Sequence, residues 1–261
     1  MTRSAVHSLT AEQCAMMISN AHHIAAFTGA GISTAAGIPD FRGPNGLYTT
    51  GKYNADQVFE INYFRRHPEM FYEFSHDFIK LLKTIQPTFT HQFLAHLEAD
   101  GRLTGLITQN IDALHQRAGS KNIAEVHGSY WSASCLNCSD FKKTEATLDW
   151  WENQIKQSPR SPVVICSHCG GIVKPDVVFF GEPVRHLEKA EKLVRTCDLL
   201  LVLGSSLTVY PAAFIPQLCS APIIVINQGD VMLPSGKEIF YISSDLDGFF
   251  KKVIDFIDSK P

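Results

Sequence analysis

Short runs of consecutive apolar residues alternate along this chain with longer stretches in which apolar residues recur every three or four positions. His23–Phe27, Leu103–Thr108, Ile123–Val126, Leu199–Leu203 and Ile223–Ile226 are too short for helices, and each ends at a turn or polar residue. That pattern predicts strands buried on both faces of a parallel sheet. Thr10–Ala21 predicts a helix, with Thr10 and Gln13 at capping-box spacing and Cys14, Met17 and Ile18 on one face. Leu187–Arg195 and Asp247–Ile257 predict two more. Between Leu47 and Leu82 the strand pattern is lost, and aromatics crowd together from Tyr48 through Phe59, Phe64 and Phe71 to Phe78. This reads as a helical insertion whose aromatic stripe packs a core. The whole is an α/β fold with a parallel, Rossmann-like sheet.

In an open α/β sheet the polar strand ends converge on one crevice. The first expected strand breaks into Gly29-Ala30-Gly31 and then Ser33-Thr34-Ala35-Ala36, a glycine turn and a helix start. Glycine lets a ligand approach the backbone, and free N–H groups at a helix start attract a phosphate. The usual dinucleotide fingerprint is incomplete, because Thr34 stands where its third glycine belongs and no acid-ended strand follows about 20 residues on. An ordinary hydride-transfer unit is therefore not expected. Instead Gly37–Gly43 follows, a loop carrying Asp40, Phe41 and Arg42, whose composition suits a ligand-facing loop.

The other strand ends carry Gln109, Asn110, Ile111 and Asp112, then His127, then Gly204, Ser205 and Ser206, then Asn227. An imidazole titrates near neutral pH and suits proton transfer from a hydroxyl, though His127 taken alone also fits a hydrogen-bonded structural role. Asn110 and Asp112 suit holding an amide, a ribose hydroxyl or a developing cation, and equally suit capping a turn. The crevice offers neither a Gly-x-Ser-x-Gly elbow nor a clear nucleophilic cysteine.

Composition narrows the class. The chain has 261 residues, 45% hydrophobic and 19% charged, enough for one large domain with a smaller insert. A formal net charge of -3 gives no reason to expect a nucleic-acid partner. MTRSAVHSLTAEQ lacks the apolar core of a signal peptide, and no apolar run is long enough to span a membrane, so a cytoplasmic protein is expected. Cys135, Cys138, Cys166 and Cys169 form two Cys-x-x-Cys pairs separated by residues 139–165, the arrangement of a closed tetrahedral zinc site. Four thiolates leave no open position for water, so the metal is expected to be structural; redox pairing is the competing reading. Cys14, Cys197 and Cys219 read as small buried hydrophobes.

Taken in order, GAGIS (29–33), GIPDFRG (37–43), TQNID (108–112), His127-Gly128, the four cysteines, VVFFGE (177–182), GSSL (204–207) and Asn227 resemble the sirtuins, the NAD-dependent protein deacylase family. The resemblance spans nearly the whole chain. It implies a large Rossmann-like domain from residues 1–47, 83–128 and 172–261, and a small domain from a helical insertion (48–82) and a zinc module (129–171). It implies NAD as co-substrate and acyl-lysine proteins or peptides as partners. Gly29, Ala30, Gly31, Ser33, Thr34, Phe41 and Arg42 would line the phosphates and the reacting ribose. Gln109, Asn110, Ile111 and Asp112 would form the nicotinamide pocket, while Gly204, Ser205, Ser206, Asn227, Asp245 and Leu246 would hold the adenosine end. Val178, Phe179, Phe180, Gly181 and Glu182 would pair with the substrate backbone as an added strand. Asn110 and His127 would be catalytic. In the implied reaction the acyl oxygen attacks the ribose carbon bearing nicotinamide, and His127 then takes a proton from a ribose hydroxyl. The acyl group ends on ADP-ribose and the lysine is freed. Members that remove acidic acyl groups carry Tyr-x-x-Arg in the insertion. Aligned on Tyr72, this chain offers Ser75 and Phe78 there, so neutral acyl groups, acetyl first, are expected. ADP-ribosyl transfer from the same pocket, and NAD sensing without turnover, are the alternatives.

Overall fold

The computed structural model describes residues 5–39 and 54–258, so Phe41 and Arg42 lie outside the described residues. The chain opens with β1 (Ala5–His7) and α1 (Ala11–Asn20), then runs through β2 (Ile24–Thr28) into a 3-10 turn over Ala30–Ala36. Helices α2 (Ala55–Val58), α3 (Ile61–Arg66), α4 (Pro68–Thr84) and α5 (Phe89–Ala99) lead back to β3 (Leu103–Thr108), α6 (Leu114–Ala118) and β4 (Ile123–Glu125). An excursion follows through β5 (Gly128–Cys135), β6 (Lys142–Lys143), α7 (Leu148–Gln157) and β7 (Val173–Val177). The chain then returns through α8 (Leu187–Thr196), β8 (Leu199–Leu203), a 3-10 turn over Ala212–Leu218, β9 (Ile223–Ile226), β10 (Glu238–Ile242) and α9 (Leu246–Asp258).

Seven strands form one sheet in the order β1-β10-β9-β8-β2-β3-β4, every neighbouring pair parallel. From β2 the chain winds one way through β3 and β4, and from β8 the other way through β9 and β10. The order therefore reverses between β2 and β8, where open α/β sheets bind ligands beyond the carboxyl ends of their strands. Residues of β2 alternate between faces. Ile24 and Ala26 pack with Cys14, Ile18, Leu94 and Phe250 under α1, α5 and α9, while Ala25 and Phe27 pack with Ala190, Val194 and Ile215 on the other face.

A second, antiparallel sheet in the order β6-β5-β7 shares a core with the helical insertion. Here the aromatic stripe packs as expected. Phe71 lies 5.0 Å from Phe179 and Phe64 stands edge-on to Phe71 at 5.4 Å, the offset geometry that ring quadrupoles favour. Trp151 is fully buried among them and donates its indole N–H to the Tyr130 carbonyl at 2.8 Å.

The capping box of α1 forms as the sequence predicts. The Gln13 N–H reaches the Thr10 hydroxyl at 3.2 Å and the Thr10 N–H reaches the Gln13 side chain at 3.0 Å. The helix start after Gly31 differs from expectation. It is a 3-10 turn of 7 residues ended by Gly37 at φ +97°. The Thr34 hydroxyl bonds back to the Gly31 carbonyl at 3.0 Å and Ser33 spends its hydroxyl on Asp112, local bonds that compete with a regular helix. The attraction for an anion therefore rests on individual backbone N–H groups rather than on a long helix dipole.

Candidate functional site

A cavity of about 660 Å³ opens at the carboxyl ends of β2, β3, β8 and β9, within the range typical of ligand sites. At its floor two strand ends meet backbone to backbone. The Gly29 N–H donates to the Leu203 carbonyl at 3.0 Å and the Gly31 N–H to the Gly204 carbonyl at 2.9 Å. A Cβ at Gly31 would sit 2.7 Å from the Gly204 Cα, and Gly204 itself has φ +63°. These glycines thus let the two turns close on each other as well as leaving room for a ligand.

Asn110 reaches the cavity from the end of β3 and is braced from behind. Its amide donates to the Gly29 carbonyl and the Ser33 hydroxyl, each at 3.2 Å, and Ser33 donates to Asp112 at 2.7 Å. The second Asp112 oxygen accepts the Leu114 N–H at 2.9 Å. Burial pushes the Asp112 carboxyl up, against these bonds. Ser33 and Asp112 are buried and stand one layer behind the described cavity wall, whereas Gly29, Ala30, Gly31, Thr34, Gln109, Asn110, Ile111 and His127 line it. Gln109 is fixed from the other strand end, its side-chain oxygen accepting the Ser205 hydroxyl at 2.8 Å.

His127 stands between β4 and β5, where the chain leaves the large sheet. Its Nδ1 lies 3.0 Å from the Gln109 carbonyl oxygen. A carbonyl only accepts, so Nδ1 carries the proton and Nε2 keeps its lone pair. Burial lowers the pKa, partly offset by that bond, so the ring is neutral at neutral pH. The group is prepared to take a proton.

One wall is the loop after β7. Val178 N–H bonds the His127 carbonyl at 2.7 Å, tying loop to imidazole. Phe180 gives its N–H to the Phe59 carbonyl at 2.7 Å and accepts the Ile61 N–H at 3.1 Å, so both its backbone groups face the insertion. Gly181 then turns at φ +94°, with the Glu182 N–H closing on the Phe179 carbonyl at 2.9 Å. Glu182 turns its carboxylate back onto the Phe179 N–H at 2.9 Å. At the far end of the cavity Ser206, Asn227, Asp245 and Leu246 come together. Asp247, not expected from sequence, also lines it while capping α5 through the Phe89 and Thr90 N–H groups at 3.1 and 2.9 Å.

Phe59 and Tyr210 were equally unmarked as lining residues. Phe59 looked like one more packing aromatic, and Tyr210 lies past the GSSL stretch, where the polar strand-end signal had faded. Conversely Tyr72, Ser75 and Phe78 are buried in the aromatic core and lie outside the cavity lining among the described residues, with the Tyr72 hydroxyl donating to the Val173 carbonyl.

The four paired cysteines cluster with all Sγ atoms within 4.8 Å of one another. Cys135 and Cys169 are 3.5 Å apart and Cys138 and Cys166 3.8 Å apart. A tetrahedron with Zn–S bonds of about 2.3 Å has edges of about 3.8 Å. The Asn137 and Gly171 N–H groups point at the sulfurs of Cys135 and Cys169, at 3.3 and 3.4 Å, as suits thiolates. The residues fit a structural zinc ion.

Beneath the site His91 and His115 lie with ring centroids 4.6 Å apart, their planes tilted by 55°. Burial lowers His91 to about 4, against a smaller opposing pull from Asp247, and holds His115 well below its ordinary range. Each binds a proton more weakly folded than unfolded, so the stability they contribute is full above pH about 6.5 and is lost as pH falls toward 4. The expected result is a melting temperature flat above neutrality that drops in that window, with on the order of 3 kcal/mol lost through His91 alone. Thermal melts of the chain and a His91→Gln variant across pH 4 to 8 check it; an unchanged slope in the variant refutes the assignment.

Residues 29–211 match the model of the Sir2 family. The chain is 41% identical over 238 residues to an NAD-dependent protein deacetylase of Sulfurisphaera tokodaii, covering 90% of this chain and 91% of that one. To an NAD-dependent protein deacetylase of Thermotoga maritima it is 40% identical over 233 residues, covering 87% and 90%. Among solved structures it is similar to Sir2 with a p53 peptide and NAD+, at TM-score 0.82 and 35% identity over 95% of this chain and 98% of the other. It is also similar to Sir2Tm bound to a propionylated peptide, at TM-score 0.80 and 32% identity over the same shares. With the ordered strand-end cavity, the four-cysteine cluster and this match over most of its length, the chain belongs to the Sir2 family.

Proposed function

We propose that this chain is an NAD-dependent protein lysine deacylase that moves the acyl group from lysine to ADP-ribose and releases nicotinamide. The observation that carries the reading is His127. A neutral imidazole with Nδ1 fixed by a carbonyl shares one cavity with the glycine turns, Asn110 and the loop after β7. The described cavity lining holds no cysteine, and no protein nucleophile is needed, because the acyl oxygen of the substrate attacks the ribose carbon. Asn110, held by Ser33 and Asp112, orients the ribose and the developing cation. His127 Nε2 then accepts the proton of a ribose hydroxyl, whose oxygen attacks the former acyl carbon. Ala30, Gly31 and Thr34 line the phosphates, and Ser205, Ser206 and Asn227 with Asp245 and Leu246 hold the adenosine end. Arg42 and Phe41 complete the ribose end on this reading.

Preference for neutral acyl groups has a different support from the one read in the sequence. The described cavity lining contains Ile32, Phe59, Ile111, Val177 and Phe179 but neither lysine nor arginine, and its carboxylates are Glu182, Asp230, Asp245 and Asp247. Among the described lining residues none is a lysine or arginine that would pair an acyl carboxylate, whose unpaired burial costs several kcal/mol. We take residues 1–47, 83–128 and 172–261 as the NAD-binding domain, with 48–82 and 129–171 as the small one. We place the protein in the cytoplasm. Among the described residues no helix is long and apolar enough to cross a membrane.

The test is incubation with NAD and acetyl-, butyryl-, myristoyl- and succinyl-lysine peptides, followed by mass spectrometry of peptide and nucleotide. Acyl-ADP-ribose with free lysine is expected, from acetyl-lysine first. Succinyl turnover equal to acetyl turnover sinks the neutral preference, and a mass gain on protein without acyl-ADP-ribose favours ADP-ribosyl transfer.

A further inference from the structure

Lys174 carries its charge where charge is costly. It lies in β7 with its side chain 6% exposed, and lysine is almost never buried unless paired. Burial lowers its pKa, against the pull of Glu182. Its three N–H bonds meet three acceptors: the carbonyls of Pro175 at 3.1 Å and Val177 at 2.5 Å, and the Glu182 carboxylate at 3.0 Å. The ammonium also stands 4.3 Å from the Phe179 ring centroid. The Glu182 oxygen that Lys174 holds is the one that accepts the Phe179 N–H, and the Glu182 N–H closes the same turn on the Phe179 carbonyl at 2.9 Å. Loop shape from Val177 to Glu182 thus converges on one cation.

Folding alone does not call for this device. A buried ion pair yields little net stability compared with apolar residues of equal volume, whereas it admits few alternative geometries. The loop it fixes carries Phe180, 45% exposed, and Gly181 at φ +94° into the cavity wall. Lys174 is buried and lies outside the described cavity lining.

We propose that Lys174 is a positioning residue for the polypeptide substrate: through Glu182 and Phe179 it sets the loop edge on which the substrate backbone lies. The inference rests on the deacylase reading of the cavity. It separates the two reactants, because the glycine turns, Asn110 and Asn227 are held by other bonds.

The experiment measures KM for an acetyl-lysine peptide and for NAD separately, direct binding of a fluorescently labelled acetylated peptide, and melting temperature. Lys174→Met is expected to raise the peptide KM and weaken peptide binding about tenfold or more, the value of one charge-assisted bond, with the NAD KM within about twofold. Lys174→Arg keeps a cation and restores most of the affinity. Should Lys174→Met fail to fold, Glu182→Gln keeps shape and the Phe179 bond, and raises the peptide KM severalfold. Unchanged peptide binding in a folded variant overturns the proposal, as does a parallel rise in both KM values that follows the loss of melting temperature. A wild-type chain that binds no acetylated peptide overturns the deacylase reading together with this one. Failure of the clamp alone shows instead as wild type and variants binding equally well.

Discussion

Replacing His127 by alanine lowers deacylation by about 10²- to 10⁴-fold, the range set by loss of a positioned general base. The size follows from how completely the site commits to one imidazole. Among the lining residues the other titratable side chains are carboxylates and Tyr210, and the carboxylates of Glu182, Asp245 and Asp247 already accept backbone N–H groups. Nothing nearby carries the same bond to the Gln109 carbonyl. Because that bond fixes the ring from Nδ1, the variant loses base and orientation together, while packing beneath it rests on Val126, Gly128 and Val177.

The pH profile carries the sign. The base works unprotonated and burial lowers its pKa, so kcat/KM rises with pH along a limb centred below the ordinary histidine value of about 6.5. Nicotinamide release is the informative second readout. Its chemistry precedes the proton transfer, so a His127→Ala chain still binds NAD and acetyl-lysine peptide with near-wild-type affinity. Deacylation within threefold of wild type, or an acid limb well above 6.5, removes His127 from its assigned role.

Much of the large sheet was legible because strands buried on both faces must be apolar throughout. Leu199–Leu203 and Ile223–Ile226 have the expected limits, and the polar residues just past them reach the cavity. β1 and β10, the two strands beyond β9, escaped notice for the complementary reason. They are short and leave no continuous buried run, with Val6 and His7 exposed in β1 and Ile239 alone fully buried in β10. Motif residues fell into two kinds that sequence could not separate. Asn110 and His127 face the cavity, whereas Ser33 and Asp112 stand behind Asn110 and hold it. Linear order records that such residues belong together; which of them touches a ligand depends on layer, and layer is a property of packing. The acyl argument meets the same limit, since the alignment on Tyr72 points to Ser75 and Phe78 but not to which interior they face. Lys174 was invisible for its own reason, a cation in the short strand Val-Lys-Pro-Asp-Val whose partner lies on a loop eight residues away.

Withdrawing zinc, by chelation or by Cys166→Ser, is expected to unfold the small module and stop peptide turnover together. The coupling runs along one strand. β5 begins at Gly128, directly after His127, and ends at Cys135, and its partner β7 pairs Val173 with Cys135 at one end and Val177 with Gly128 at the other. A strand of 8 residues spans roughly 25 Å, so the metal is far from the reacting atoms, and four thiolates leave it no open position. Its influence on catalysis must pass through the register of β5 and β7, which carries both His127 and the Lys174 side of the loop. Structural zinc contributes about 10–16 kcal/mol in small metal-folded domains, comparable with the whole stability of a typical domain. The shared aromatic core offsets part of that loss, yet Cys166 is itself inside this core beside Val163 and Trp151. All 3 tryptophans, Trp131, Trp150 and Trp151, belong to the module, so their emission reports on it alone. On chelation one zinc per chain should be released, emission should shift to the red as Trp151 becomes wet, and acetyl-lysine turnover should fall to background. NAD binding at the β2 and β8 strand ends should weaken far less. A zinc-free chain with unshifted emission and full turnover would leave the cysteine cluster without the structural role that its geometry fits.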